Sequence, residues 1–341
     1  MGVSHYRFSI AWTRILPNGT SAYVNYKGVS YYSDIIDALI SANITPVITL
    51  YHWDLPQTLQ ELGGWLNPDT AEYFAEYSRI CFRYFGDRVK FWITINEPWV
   101  VAILGHETGE HAPGLNDLDG LYSYQVGHNL LKAHAKAYKI YQDHFKEQKG
   151  QVGISLNINW YEPLDFTNKG HLEATETKRQ FAGGWFLQPL LINGDYPAFM
   201  RKRIGDRLPK FTPEEKGQIL GSLDFLGINH YTSSFVFTAL EKATNKAGWF
   251  VDSGAEEWQD PRWFSAASSW LKVAPFGLRR LLNWLKLNFD PEGQVPIYIT
   301  ENGFSDSLGN LDDLHRIYYL KHYINQLLKG LKCYPNGICF S

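Results

Sequence analysis

The chain has 341 residues, with 32 Lys and Arg against 35 Asp and Glu and a formal charge of −3. That balance leaves no electrostatic footprint for nucleic acid or an anionic membrane surface, so neither is an expected partner. Hydrophobic residues at 45% and charged residues at 20% describe a folded chain with a large core, and the 16% aromatic content suits sugar faces as well as packing.

The opening residues, MGVSHYRFSI, read as a strand rather than as a basic leader with an apolar stretch and a cleavage site. No apolar run is long enough to span a bilayer, so no transmembrane segment is expected. Six short runs rich in β-branched and aromatic residues are predicted strands: His5 to Ile10, Pro46 to His52, Phe91 to Glu97, Val152 to Asn157, Asp224 to Asn229 and Pro296 to Glu301. Their nearly continuous apolarity is that of strands buried on both faces of a parallel sheet. Helical patterns lie between them. Phe74, Tyr77, Cys81 and Phe85 share one face, after a start signal at Asn67-Pro-Asp-Thr. Val126 through Phe145 reads as a longer helix. Leu278, Leu281, Leu282, Leu285 and Phe289 form a second apolar stripe, and Ile317, Leu320, Ile324, Leu327 and Leu331 a third.

Strand and helix in alternation predict an α/β architecture with right-handed crossovers. Pro17-Asn-Gly, Leu62-Gly-Gly, Ala112-Pro-Gly and Tyr334-Pro-Asn-Gly mark loops. An open doubly wound sheet would normally carry a Gly-rich phosphate loop, and neither GxGxxG nor GxxxxGK[ST] occurs, which favours a barrel. In a parallel barrel the strand C-termini gather on one rim, where chemistry is done. The predicted strands end in Tyr51-His52-Trp53-Asp54, Asn96-Glu97-Pro98, Asn229-His230-Tyr231 and Thr300-Glu301-Asn302. Two glutamates from different strands on one rim form a candidate carboxylate pair, which suits glycoside hydrolysis: one carboxyl protonates the leaving oxygen, the other attacks the sugar. His52, Asn96, Asn229 and Tyr231 stand around them as groups for hydroxyls, and tryptophans offer stacking surface. A single strand-end Glu is more often a helix cap or an ion-pair partner; the second, also beside an Asn, is what raises the pattern above that reading. His128 and His134 fall inside a helix and read as packed or surface residues. His106 and His111 read as loop residues without metal spacing. Cys81 reads as a small core residue, and Cys81, Cys333 and Cys339 form neither a disulfide framework nor a zinc pattern.

TINEP (94–98) and YITENG (298–303) resemble the two signature segments of glycoside hydrolase family 1, the β-glucosidase and lactase family. RFSIAWTRILP (7–17), TPVITLYHWDLPQTL (45–59), DFLGINHYTS (224–233) and the stretch through Ser269-Trp270 match that family in order as well. The resemblance implies a TIM (β/α)₈ barrel and a retaining mechanism with a covalent glycosyl-enzyme. It implies that Glu97 is the general acid/base and Glu301 the nucleophile, with Arg7 and Tyr231 orienting Glu301 and keeping it ionised. Asn96 would contact the sugar 2-hydroxyl and His52 the 3-hydroxyl, with Trp53 and Asn229 also in the binding site and Trp270 beneath the leaving group. No cofactor and no metal is expected, because two carboxylates suffice. The expected partner is a β-glycoside, either a small molecule or an oligosaccharide.

The family's first strand should precede MGVSHYRF and its eighth should follow the last helix, so residues 1–331 read as a partial barrel holding strands two to seven, and 332–341 as a tail unlike the family. The strands at His5 to Ile10 and Pro296 to Glu301 should then be sheet edges, with Glu301 exposed. A chain of this length alone is expected to be poorly soluble and inactive. The competing reading is a non-catalytic glycan-binding or receptor-like relative; the presence of both carboxylates weighs against it.

Overall fold

The computed structural model describes residues 2–117, 119–239, 247–307, 309, 311–333 and 338–340. The six predicted strands form within a residue or two of their expected bounds: β1 (His5–Ser9), β2 (Thr45–Tyr51), β3 (Phe91–Asn96), β4 (Gln151–Asn157), β6 (Phe225–Asn229) and β9 (Ile297–Glu301). They pair in parallel in the order β1-β2-β3-β4-β6-β9. Three further strands, β5 (Trp160–Pro163), β7 (Ser233–Thr238) and β8 (Ala255–Trp258), make a separate sheet that short runs in the sequence did not announce.

The sheet is curled, and a single side chain demonstrates it. Four strands lie between β1 and β9, a flat separation of about 24 Å at the usual strand spacing. Yet the Arg7 guanidinium of β1 donates to the Thr300 carbonyl of β9 at 3.0 Å. Inside the curve, Val47, Ile93 and Phe225 are buried together with Phe91 and Tyr298 packed on them, a filled interior layer of the kind that barrels carry. The result is an incomplete (β/α) barrel.

One edge expectation holds and one is corrected. Among the described residues β1 has a strand on one side only. β9 does not end the sheet: β10 (Ile338–Phe340) pairs with it in parallel over Ile297, Tyr298 and Ile299. The backbone of the tail thus gives β9 a second ladder along its first three residues, and Thr300 and Glu301 extend past it.

Helices cover the outer face. The Thr70–Phe85 helix buries Phe74, Tyr77, Cys81 and Phe85 completely, and the Phe276–Phe289 helix buries its five-residue stripe. Val126 through Phe145 lies within a Tyr122–His144 helix and its cap. The third stripe holds at Leu327 and is corrected at Ile317, Leu320 and Ile324. In the Leu314–Cys333 helix Ile317, Leu320 and Ile324 face outward, while Tyr319, Tyr323 and Leu327 are fully buried. Both faces are apolar at helical spacing, so periodicity alone does not rank them. The tyrosine face wins because its hydroxyls find buried acceptors as well as packing. The side chain of Leu331 and the Tyr334-Pro-Asn-Gly loop lie outside the described residues.

Candidate active site

The site grows from the ends of β2, β3, β6 and β9. β3 carries an irregularity in its pairing with β4 between Ile93 and Asn96. Such a shift re-aims the residues that follow it, and Asn96 and Glu97 both reach the centre. Glu97 sits at φ 51° and ψ 65°, in the left-handed region that a non-glycine residue adopts at a cost of order 1 kcal/mol. Pro98 then opens the Pro98–His106 helix with its fixed φ, so β3 ends and the helix begins across this one residue. His106 is the last residue of that helix and is buried, not in a loop as expected.

Asn96 is the hub. Its Oδ1 accepts from Arg7 at 2.6 Å and from Asn229 Nδ2 at 3.0 Å. Its amide nitrogen must therefore be the donor to His52 Nε2 at 3.1 Å, which leaves that ring nitrogen unprotonated. Burial, and then the neighbouring Arg7 charge, lower the His52 pKa against the pull of Glu301, in keeping with a neutral ring. Trp53 donates its indole N–H to the Asn96 carbonyl at 2.9 Å.

The two carboxyls have opposite surroundings. Glu97 is 7% exposed, and Asn229 Nδ2 donates to its Oε1 at 2.6 Å. Burial first, and the Glu301 charge second, push its pKa up to about 7. Glu301 instead accepts from Arg7 on Oε1 at 2.8 Å and from the Tyr231 hydroxyl on Oε2 at 2.5 Å. Its side chain is 25% exposed and that of Arg7 15%, so the ion pair forms where water was expected to screen it. Burial and the Glu301 charge raise the Tyr231 pKa well above the ordinary phenol, which keeps it a hydrogen-bond donor.

Behind them runs a directional chain that sequence reasoning missed. Ser155 donates to Thr300 at 2.8 Å, and Thr300 donates to Asn229 Oδ1 at 2.6 Å, which turns the Asn229 amide group toward Asn96 and Glu97. Gly227 makes room for it: a Cβ there would lie 2.5 Å from Ser155 Oγ. Thr300 stands inside the YITENG segment and could have been found there; Ser155 carries no comparable signal.

Every expected site residue joins one assembly. Glu97, Glu301, Trp53, Asn229, Tyr231 and Trp270 line a cavity of about 660 Å³. Arg7, His52 and Asn96 stand behind it in the hydrogen-bond network. Trp270 is half exposed and meets the Tyr231 ring edge-on at 5.7 Å. Trp99 and Trp249, in edge contact at 5.2 Å, add an unforeseen aromatic wall. His128 packs on Phe211 and His134 pairs with Thr94, both buried away from the cavity. Among the described residues no cluster of three or more His, Cys, Asp or Glu has metal-site geometry, and no helix is long and apolar enough to cross a membrane.

Comparison with known proteins gives the same class. The profile of glycosyl hydrolase family 1 matches residues 1–335, and the chain belongs to that family. It is 48% identical to rat lactase/phlorizin hydrolase over 97% of this chain and 18% of the relative, and 46% identical to human lactase-like protein over 97% and 60%. The chain thus spans less than two thirds of these relatives. Among solved structures, a mutant of a rice β-glucosidase in a covalent complex with Glc superposes with a TM-score of 0.95 at 39% identity, covering 99% of this chain and 75% of that one.

Proposed function

We propose that this chain carries the catalytic centre of a retaining β-glycosidase of the β-glucosidase type. Glu301 is the nucleophile: its carboxylate bonds to the anomeric carbon as the bond to the leaving oxygen breaks. Glu97 gives its proton to that oxygen and, as a carboxylate, later takes one from the water that displaces Glu301. Arg7 and Tyr231 orient Glu301 and favour its charged form. Asn96 and His52 hold the 2- and 3-hydroxyls, Asn229 and Trp53 complete the sugar subsite, and Trp270 packs on the leaving group. The carrying observation is the contrast between the carboxyls, one buried with its pKa raised to about 7, the other bound by a guanidinium and a phenol. Two titratable groups pushed apart by their environments divide the acid and nucleophile roles. A covalent complex with Glc is known for the rice relative, which supports a covalent intermediate in this reading.

We also propose that the 341-residue chain alone is poorly soluble and lacks measurable activity, since its sheet is open beyond β1 and a second cavity of about 430 Å³ borders Glu301, Leu320 and Ile324. Two experiments test these readings. In a chimera where this chain replaces the matching three quarters of the rice enzyme, a 2-fluoro-glucoside should leave its sugar mass on Glu301; a folded chimera that stays unlabelled defeats the enzymatic reading. A soluble, cooperatively melting 341-residue monomer that hydrolyses an aryl β-glucoside defeats the second.

A further inference from the structure

Two tyrosines of the Leu314–Cys333 helix reach past the sheet to one backbone oxygen. Tyr319 donates its hydroxyl to the Tyr231 carbonyl at 2.7 Å and Tyr323 does the same at 2.8 Å. Their rings are fully buried and stack at 4.1 Å with 19° between the planes. Two donors fill both lone pairs of that carbonyl, and neither hydroxyl has access to water as a substitute. Packing alone would be served equally well by phenylalanine.

The carbonyl they hold needs holding. Tyr231 lies just past the end of β6, where the pairing of β6 with β9 shifts between Ile228 and Asn229. Its own N–H makes only a 3.3 Å contact to Asn159 Oδ1. The neighbouring residues are tied across the same gap: His230 N–H donates to the Glu301 carbonyl at 3.0 Å, and Asn302 Nδ2 donates to the His230 carbonyl at 2.7 Å and to Tyr319 Oη at 2.9 Å. The Tyr231 phenol in turn meets Glu301 Oε2 at 2.5 Å, a short contact that a small backbone displacement would lengthen.

We infer that Tyr319 and Tyr323 are positioning residues for the Glu301 carboxylate, acting through the Tyr231 backbone and phenol. The inference rests on the reading of Glu301 as nucleophile. Loss of both hydroxyls leaves a buried carbonyl unpaired, so the Tyr231 segment relaxes and the phenol no longer sits against the carboxylate. A misplacement approaching about 1 Å in a reacting centre costs up to about 100-fold in rate.

The test uses the chimera with ¹³Cζ-labelled tyrosine, the Tyr231 resonance being identified by its loss in Tyr231→Phe. In the Tyr319→Phe/Tyr323→Phe variant that resonance should move toward the position of a phenol not bonded to a carboxylate, with smaller movements in each single variant. Leu327→Ala, which removes packing one turn further along the helix and no hydroxyl, should leave it in place. In the chimera the double variant should slow inactivation by a 2-fluoro-glucoside about 10- to 100-fold with its binding constant unchanged. A Tyr231 resonance identical in wild type and double variant overturns the inference, and if the double variant does not fold the single variants decide it. If the unsubstituted chimera takes up no label, the nucleophile reading has failed while the resonance still judges the clamp.

Discussion

The ends of β3 and β9 each deliver a glutamate to the same cavity, and the two regions treat it in opposite ways. β3 lies inside the sheet between β2 and β4, and Glu97 at its tip is buried with no cation in hydrogen-bond contact. β9 lies between β6 and β10, and Glu301 at its tip, past the β10 ladder, keeps a quarter of its side-chain surface but holds a guanidinium and a phenol. Burial without a counter-charge favours the neutral acid, while a paired site favours the anion. Position in the sheet, more than residue type, therefore separates the surroundings of the two carboxyls on which the proposed roles rest.

The widest break in this contrast is Glu301→Gln. The amide cannot form the glycosyl ester, so turnover of an aryl β-glucoside by the chimera should fall by 10⁴-fold or more, on the order seen when a covalent nucleophile is lost. Glu97→Gln removes only proton transfer, a loss of about 10²- to 10⁴-fold for poor leaving groups and far less for good ones, which need little protonation. Steady-state rates across a series of aryl leaving groups read this directly. Equal losses across the series would erase the distinction between the two glutamates.

Much of this contrast was legible before the structure. The paired strand-end motifs pointed to Glu97 and Glu301, and apolar continuity located six of the seven strands of the curled sheet, all but β10. What sequence hid was orientation. The aliphatic stripe Ile317, Leu320 and Ile324 and the tyrosine stripe share one helix, and only the acceptor at the Tyr231 carbonyl, supplied by a residue far away in the chain, decides which goes inward. Ser155 was hidden for the same reason, because its partner comes from another strand.

A smaller effect follows from the proton on Glu97. The folded chain holds it up to about pH 7, while an ordinary glutamate releases it near 4.5. Between those values the folded state binds more protons than the unfolded one, so stability falls as pH rises through that window, by about 3 kcal/mol in all. Glu97→Gln, whose Oε1 can still accept from Asn229, should recover up to about that amount at pH 8 and almost nothing at pH 4, as read from urea melts of the chimera. For the same reason activity should decline as pH rises past about 7, where the acid loses its proton. A stability difference that does not change between pH 4 and 8 would mean that the Glu97 site does not hold a proton above the ordinary range.

The smallest expected effect lies on the open side itself. Ile317 is 59% exposed and Leu327 fully buried on the same helix, although both belonged to one predicted stripe. Ile317→Ser changes a solvated surface position and should alter stability by no more than about 0.5 kcal/mol. Leu327→Ala empties part of a packed interface and should cost about 2–5 kcal/mol. Serine and isoleucine have nearly equal helix propensity, so the substitution brings no backbone cost that could mimic a cavity. Fluorescence-detected urea melts of the two variants in the 341-residue chain, at a dilution where its poor solubility does not limit, compare the faces without reference to activity. Were Ile317→Ser to cost as much as Leu327→Ala, the aliphatic stripe would be packed against something, and the helix would face inward by the side that periodicity first suggested.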